Sequence, residues 1–162
     1  MMTPDDIDVW VGLDVGKSAH HAHALDRDGD TLYDKPVRQD EKAIRSMLEH
    51  LSRRGRVLLV VDQPNTIGSL PLTVARDMGI AVAYLPGTAM RRTAQLLPGD
   101  AKTDRRDAHV IAWAALKLPE CLCSISCCGF SHDDFSGLGR ACRPRNGLNW
   151  MVLVSPPERT GK

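Results

Sequence analysis

Residues 97–108 read Leu97-Pro98-Gly99-Asp100-Ala101-Lys102-Thr103-Asp104-Arg105-Arg106-Asp107-Ala108. Pro98-Gly99 breaks the chain, and the pattern beyond it predicts a helix from near Thr103 or Asp104 to about Leu118. On a wheel of roughly 100° per residue with Asp104 at the origin, Ala108, Ile111, Ala112 and Ala115 fall within about 80° of it, in one apolar stripe. Asp104 lies inside that stripe, Asp107 borders it, and Arg105 and Arg106 point elsewhere. Acids in a first helical turn favour the positive end of the helix dipole by about 0.3–1 kcal/mol each. That explains why acids come early in the helix, but not why one of them faces a core. A carboxylate among alanines and an isoleucine needs a partner, and a cation shared with other acids would supply it.

Upstream of this helix the chain alternates strand and helix signals. Val9 to Val15 reads as a strand, with Val9, Val11, Leu13 and Val15 on one face and Trp10, Gly12 and Asp14 on the other. His20 to Leu25 makes a second strand. Asp28-Gly29 signals a two-residue hairpin into a third strand near Thr31 to Val37. Asp40 caps a helix whose Ile44, Met47, Leu48 and Leu51 follow the i, i+3, i+4, i+7 spacing, and Gly55 closes it. Val57-Leu58-Leu59-Val60-Val61 suits a strand buried on both faces, and it ends at Asp62. A helix near Leu70 to Met78, a short strand from Ala81 to Leu85 and a helical stretch from Thr88 to Leu97 complete the series. Antiparallel hairpins followed by parallel crossovers predict an α/β fold, a mixed sheet flanked by helices in the order of a ribonuclease-H-like domain. In such sheets ligands collect at the carboxyl ends of strands near a topological switch, where Asp14 and Asp62 fall.

The chain has 162 residues, 43% of them hydrophobic, which suffices for one sizeable core and hardly two. Its net charge of +1 gives no global basic field, so any nucleic-acid contact must come from local clusters. The N-terminus carries no basic-then-apolar signal and no apolar run approaches about 18 residues, which points to a soluble cytoplasmic protein with no membrane partner. All five cysteines, Cys121, Cys123, Cys127, Cys128 and Cys142, follow residue 120. Their spacing matches no zinc pattern, and His132 is the only histidine among them.

Asp14, Asp62, Asp104 and Asp107 would converge from two strands and one helix. Like charges about 4 Å apart repel by roughly 4 kcal/mol at an effective dielectric near 20, so without a cation at least one stays protonated. Hard oxygen donors with open water positions suit Mg²⁺ or Mn²⁺, and a two-ion site of this kind can cleave a phosphodiester. Lys17, Arg91, Arg92, Lys102, Arg105 and Arg106 offer local positive charge to a phosphate backbone, although a solvated helix face explains them equally well.

Three motifs carry a family resemblance: Val11-Gly12-Leu13-Asp14-Val15, Val60-Val61-Asp62-Gln63-Pro64, and Gly99 to Ala108. Over about residues 8 to 118 the chain resembles the DEDD transposases, RuvC-like enzymes of a bacterial insertion-sequence group that includes the Piv invertases. The last motif is specific; the first two alone would be weak. The resemblance implies a RuvC-like catalytic domain, four acidic metal ligands, DNA strand cleavage and rejoining at insertion-sequence ends and target, a homo-oligomer, and a structured RNA that guides target choice. By motif position the ligands are Asp14, Asp62, Asp104 and Asp107, with Asp62 standing where the family has Glu, one methylene longer. The family also has a C-terminal domain with a serine proposed to act in strand transfer, for which this chain has no room. Residues 119–162 turn to Cys, Ser, Gly, Arg and Pro without periodicity and read as a frameshifted or truncated, poorly ordered tail. Ser124, Ser126, Ser131 and Ser136 are therefore not assigned the missing role. The expected organisation is a catalytic domain over 1–118 and that tail.

Other signals carry less. Gly12 to Ser18 resembles a P-loop but has three residues between its glycines where four are needed. The Asp-Val-Gly stretch suits actin- and sugar-kinase-like ATPases, which repeat the fold in a second half that this length does not allow. His20, His21 and His23 could suggest a metal, yet exposed or hairpin-edge histidines are commoner; Trp10 reads as core. The rivals to an active transposase domain are an inactive remnant that folds and binds metal or nucleic acid without recombining, and a small stand-alone junction nuclease.

Overall fold

The computed structural model describes residues 4–63, 69–99 and 102–123. Strands β1 (Val9–Asp14), β2 (Ala19–Leu25) and β3 (Thr31–Arg38) form the expected antiparallel meander. The turn between β2 and β3 is wider than the two-residue hairpin that Asp28-Gly29 suggests. Asp26 Oδ1 accepts from the amides of Asp28 and Asp30 at 3.0 and 2.9 Å, and the Asp26 amide donates to the Asp30 carbonyl at 3.0 Å. This aspartate side chain satisfies the loop's own amides and so makes the longer turn self-supporting.

Asp40 caps helix α1 (Glu41–Ser52) by accepting from the Ala43 amide at 2.8 Å, and Ile44, Met47, Leu48 and Leu51 form its buried face. Strand β4 (Val57–Val61) then enters beside β1 and parallel to it. Val57, Leu59 and Val61 pack into one core with Met47 and Leu48 of α1 and Leu72 and Val74 of helix α2 (Ser69–Asp77). Leu58 and Val60 pack into a second core with Ile111, Ala114 and Ala115 of helix α4 (Asp104–Lys117). Helices on both faces leave this strand no polar side, hence the unbroken apolar run. Strand β5 (Ala81–Tyr84) adds in parallel on β4, and helix α3 (Gly87–Leu96) follows. The sheet order is β3-β2-β1-β4-β5, the ribonuclease-H-like mixed arrangement expected. Trp10 is core, at 6% exposure.

Past the expected boundary at 118 the chain is still packed. Pro119–Cys121 makes a 3-10 turn, Leu122 is buried, and Cys123 exchanges backbone hydrogen bonds of 2.9 and 3.0 Å with Tyr84. The remainder of the expected tail, with Cys127, Cys128, Cys142 and the four serines, lies outside the described residues. Among the described residues no helix is long and apolar enough to cross a membrane.

The contact that positions the acids lies between β1 and α4. A Cβ placed on Gly12 would overlap the Ala108 carbonyl oxygen and the Ala112 amide nitrogen. The helix backbone therefore lies directly against strand backbone, a close approach that only glycine permits.

Candidate active site

Asp14 ends β1 opposite His21, and Asp62 follows Val61, which pairs with Leu13 on the neighbouring parallel strand. Both acids thus leave the sheet at the carboxyl ends of adjacent strands, and the Val15 amide donates to Asp62 Oδ1 at 3.4 Å. Gly12 to Asp14 is about 7 Å of strand. Ala108 back to Asp104 is about 6 Å of helix. With Gly12 beneath Ala108, these matching advances carry the first turn of α4 to Asp14. Thr103 caps that turn, accepting from the Arg106 amide at 3.1 Å.

The electrostatics follow. Burial first, then the carboxylates of Asp62, Asp107 and Asp104, push Asp14 up to about 7, while Lys102 pulls it down. Burial also raises Asp62 above the ordinary carboxylate range, against the amide bond from Val15. Three elements therefore place four acids where they act on one charge. Hard oxygen donors that resist shared ionisation fit a divalent cation in their chemistry. As they stand, no three His, Cys, Asp or Glu side chains among the described residues are gathered tightly enough to hold a metal ion.

Two details correct the sequence reading. Asp104 is exposed instead of lying in the apolar stripe; the buried stripe begins at Ala108 and continues through Ile111, Ala112 and Ala115. The helical phase is right, but the first turn overhangs the end of β1 and has no core beneath it. Arg106 is the other. Its Nη2 donates to the carbonyls of Ala94 and Leu97 at 3.1 and 3.3 Å, tying α4 to the end of α3. Its guanidinium is half-buried and partly engaged within the protein, a contact that spacing alone does not reveal. Lys17, Arg91, Arg92, Lys102 and Arg105 are exposed.

The structure also assembles a polar cluster that the sequence reading missed. Asp34, on β3, lies 2.7 Å from His21 Nε2 and accepts from Arg105 Nε at 2.6 Å. Against the upward push of burial, these bonds hold Asp34 below the ordinary carboxylate range. The rings of His23 and His109 lie 4.6 Å apart at 41°. The signal was present in His21 and His23 sharing one strand face, since hairpin pairing sets Asp34 opposite His23.

Burial, then His109, pushes His23 down to about 4 from an ordinary 6.5, against the pull of Asp34. A base whose value falls on folding binds its proton less readily in the folded state. Its contribution is whole above about 6.5 and is lost as pH falls toward about 4. The expected loss is about 2–3 kcal/mol. The unfolding free energy from urea melts should fall between pH 7.5 and 4.5 by about that much more in the parent than in His23→Leu, since the other titrating acids and histidines are common to both; equal changes in the two would relieve His23 of this role.

A mixed five-stranded sheet of ribonuclease-H-like topology, with acids at the ends of its two parallel central strands and on the helix above them, defines an α/β domain that concentrates carboxylates at one sheet end. The chain belongs to the DEDD transposase family of the IS110 type, whose transposase model matches residues 11–147. It is 52% identical over 126 residues to the uncharacterized 43.6 kDa protein of insertion element IS110 from Streptomyces coelicolor, covering 77% of this chain and 31% of that protein. It is 38% identical over 104 residues to the uncharacterized 44.8 kDa protein of insertion element IS116 from Streptomyces clavuligerus, covering 64% and 26%. The chain thus spans less than a third of the length of these relatives. Among solved structures, T. thermophilus RuvC in complex with Holliday junction substrate aligns with a TM-score of 0.48 at 14% identity, over 65% of this chain and 90% of that one.

Proposed function

We propose that this chain is the catalytic domain of an insertion-sequence transposase, cleaving and rejoining DNA strands with a divalent metal, Mg²⁺ or Mn²⁺, at Asp14, Asp62, Asp104 and Asp107. The observation that carries the reading is Asp14, held near 7 by burial and by acids from two other elements, in a chain of the transposase family. Bound cations would supply an activated oxygen nucleophile and stabilise the leaving oxygen of a phosphodiester. Asp14 and Asp62, anchored on the sheet, would form the fixed side of the ligand set. Asp107 and the exposed Asp104 would close on it from α4. The shorter Asp62, where the family has Glu, is held by the Val15 amide and leaves the larger adjustment to the helix side.

Lys17, Arg91, Arg92, Lys102 and Arg105 would track the DNA backbone, giving affinity that falls as salt rises. The DNA would be insertion-sequence ends and target, with a structured guide RNA and a homo-oligomer completing the recombining assembly in the cytoplasm.

Incubating the chain with branched and linear DNA in Mn²⁺ tests this. Strand cleavage is expected, and Asp107→Asn should reduce it by about 100-fold or more. Binding without cleavage by the parent would favour a remnant that no longer recombines. Cutting by Asp62→Asn or Asp107→Asn at the parent's rate would overturn the ligand set.

A further inference from the structure

An open cleft lies on the flank of α4 facing β2 and β3. Its volume is about 440 Å³, and its lining includes His23, Thr31, Asp34, Thr103, Arg105 and His109. That is within the roughly 300–1,000 Å³ of small-ligand sites. Three features say what it would take. The His23 and His109 rings pack together at 41°, with the partly exposed His109 ring on the wall of the cleft. Asp34 is bound once on each oxygen, by His21 and by Arg105, while a carboxylate has about four acceptor positions. His23, whose side chain is 8% exposed, shares a 3.2 Å hydrogen bond with Thr31 Oγ1 through Nε2. Its Nδ1 is buried with no hydrogen-bond partner, 3.7 Å from Asp34 Oδ1. A buried polar atom without a partner costs about 1–3 kcal/mol.

A free anion is a poor match, because Asp34 would repel it. An uncharged heteroaromatic ring with N–H donors complements both the His109 ring and the carboxylate. Arg105, 74% exposed and anchored through Nε, has further N–H donors at the rim for one phosphate.

We infer that this cleft receives one unpaired nucleotide of the bound strand, its base against His109, its exocyclic amino group on Asp34 and its phosphate on Arg105. The inference rests on the nucleic-acid reading above and adds a base preference to it. Cytosine, whose N4 amino group is a usual partner of an acidic side chain, fits; thymine, which lacks an amino group, does not.

The test is fluorescence anisotropy of the full chain, in EDTA so that cleavage plays no part, with a labelled oligo-dT strand and the same strand carrying one central dC. The parent should bind the dC strand about 10-fold more tightly, within the range of one good base contact. Asp34→Asn should erase that ratio, whereas Arg105→Gln should weaken both strands alike and preserve it. Should Asp34→Asn fail to fold, His109→Ala must reduce the ratio instead. Equal affinity of the parent for the two strands, or a ratio that survives both Asp34→Asn and His109→Ala, would overturn the pocket and leave the nucleic-acid reading standing. Failure to bind either strand would overturn both.

Discussion

Asp14→Asn will melt above the parent protein when divalent ions are withheld at pH 8, and it will not cleave DNA. The folded protein holds this acid at about 7 against an ordinary 3.8. An acid raised on folding keeps its proton more readily in the folded state. Its favourable contribution exists at low pH and is lost as pH rises from about 3.8 to about 7. At pH 8 the ionised carboxylate therefore weakens the fold. The full separation corresponds to about 4 kcal/mol. Asp14 is only half-buried, and solvent screening brings the expected gain on neutralisation to about 1–2 kcal/mol. For a domain of this size that is a rise in Tm of about 3–8 °C. Lowering the pH to 4 should abolish the difference between parent and variant. Adding Mn²⁺ should raise the parent's Tm and leave the variant's unchanged, because a ligand stabilises only the state that binds it. A variant that melts below its parent at pH 8 would show that the acids do not strain one another.

Gly12→Val should be the most destabilising single change in the sheet. Any Cβ there meets backbone atoms of α4, the Ala108 carbonyl and the Ala112 amide, which cannot swing aside as a flexible side chain can. Either the helix lifts off β1 or the strand bends, and overpacking of this kind costs about 3 kcal/mol or more. Lifting the helix also separates Asp104 and Asp107 from Asp14. Gly12→Ala should show a smaller loss in the same direction by urea unfolding. In any variant that stays folded, the Asp14 carboxyl, followed by NMR titration, should move down toward the ordinary range. Parent-like stability of Gly12→Ala would mean that α4 does not dock on β1 as described.

Much of this was legible in the chain because it depends on local periodicity. Ile44, Met47, Leu48 and Leu51 mark a buried helix face by spacing alone, and Val57–Val61 declares a strand covered on both sides by lacking any polar position. The candidate acids stand in motifs that share a family pattern, so Asp14, Asp62, Asp104 and Asp107 could be named before any fold was known. The misreadings occur where an answer depends on what lies opposite a residue. A helical wheel puts Asp104 in the apolar stripe correctly by angle, yet it cannot know that the sheet ends one turn earlier. Arg106 looks like a free cation until the end of α3 presents its carbonyls.

Element order and burial faces were thus determined by the sequence itself, since each rests on the repeat of a helix or strand along one segment, while the four candidate acids were named from a family pattern. The depth of α4 on Gly12, the proton held on Asp14 and the union of Asp34 with His21 and Arg105 were decided only in three dimensions. Each of these requires groups from separate segments to meet at a few ångströms. Coulombic and hydrogen-bond energies depend steeply on that distance, and no spacing along one strand or helix contains it.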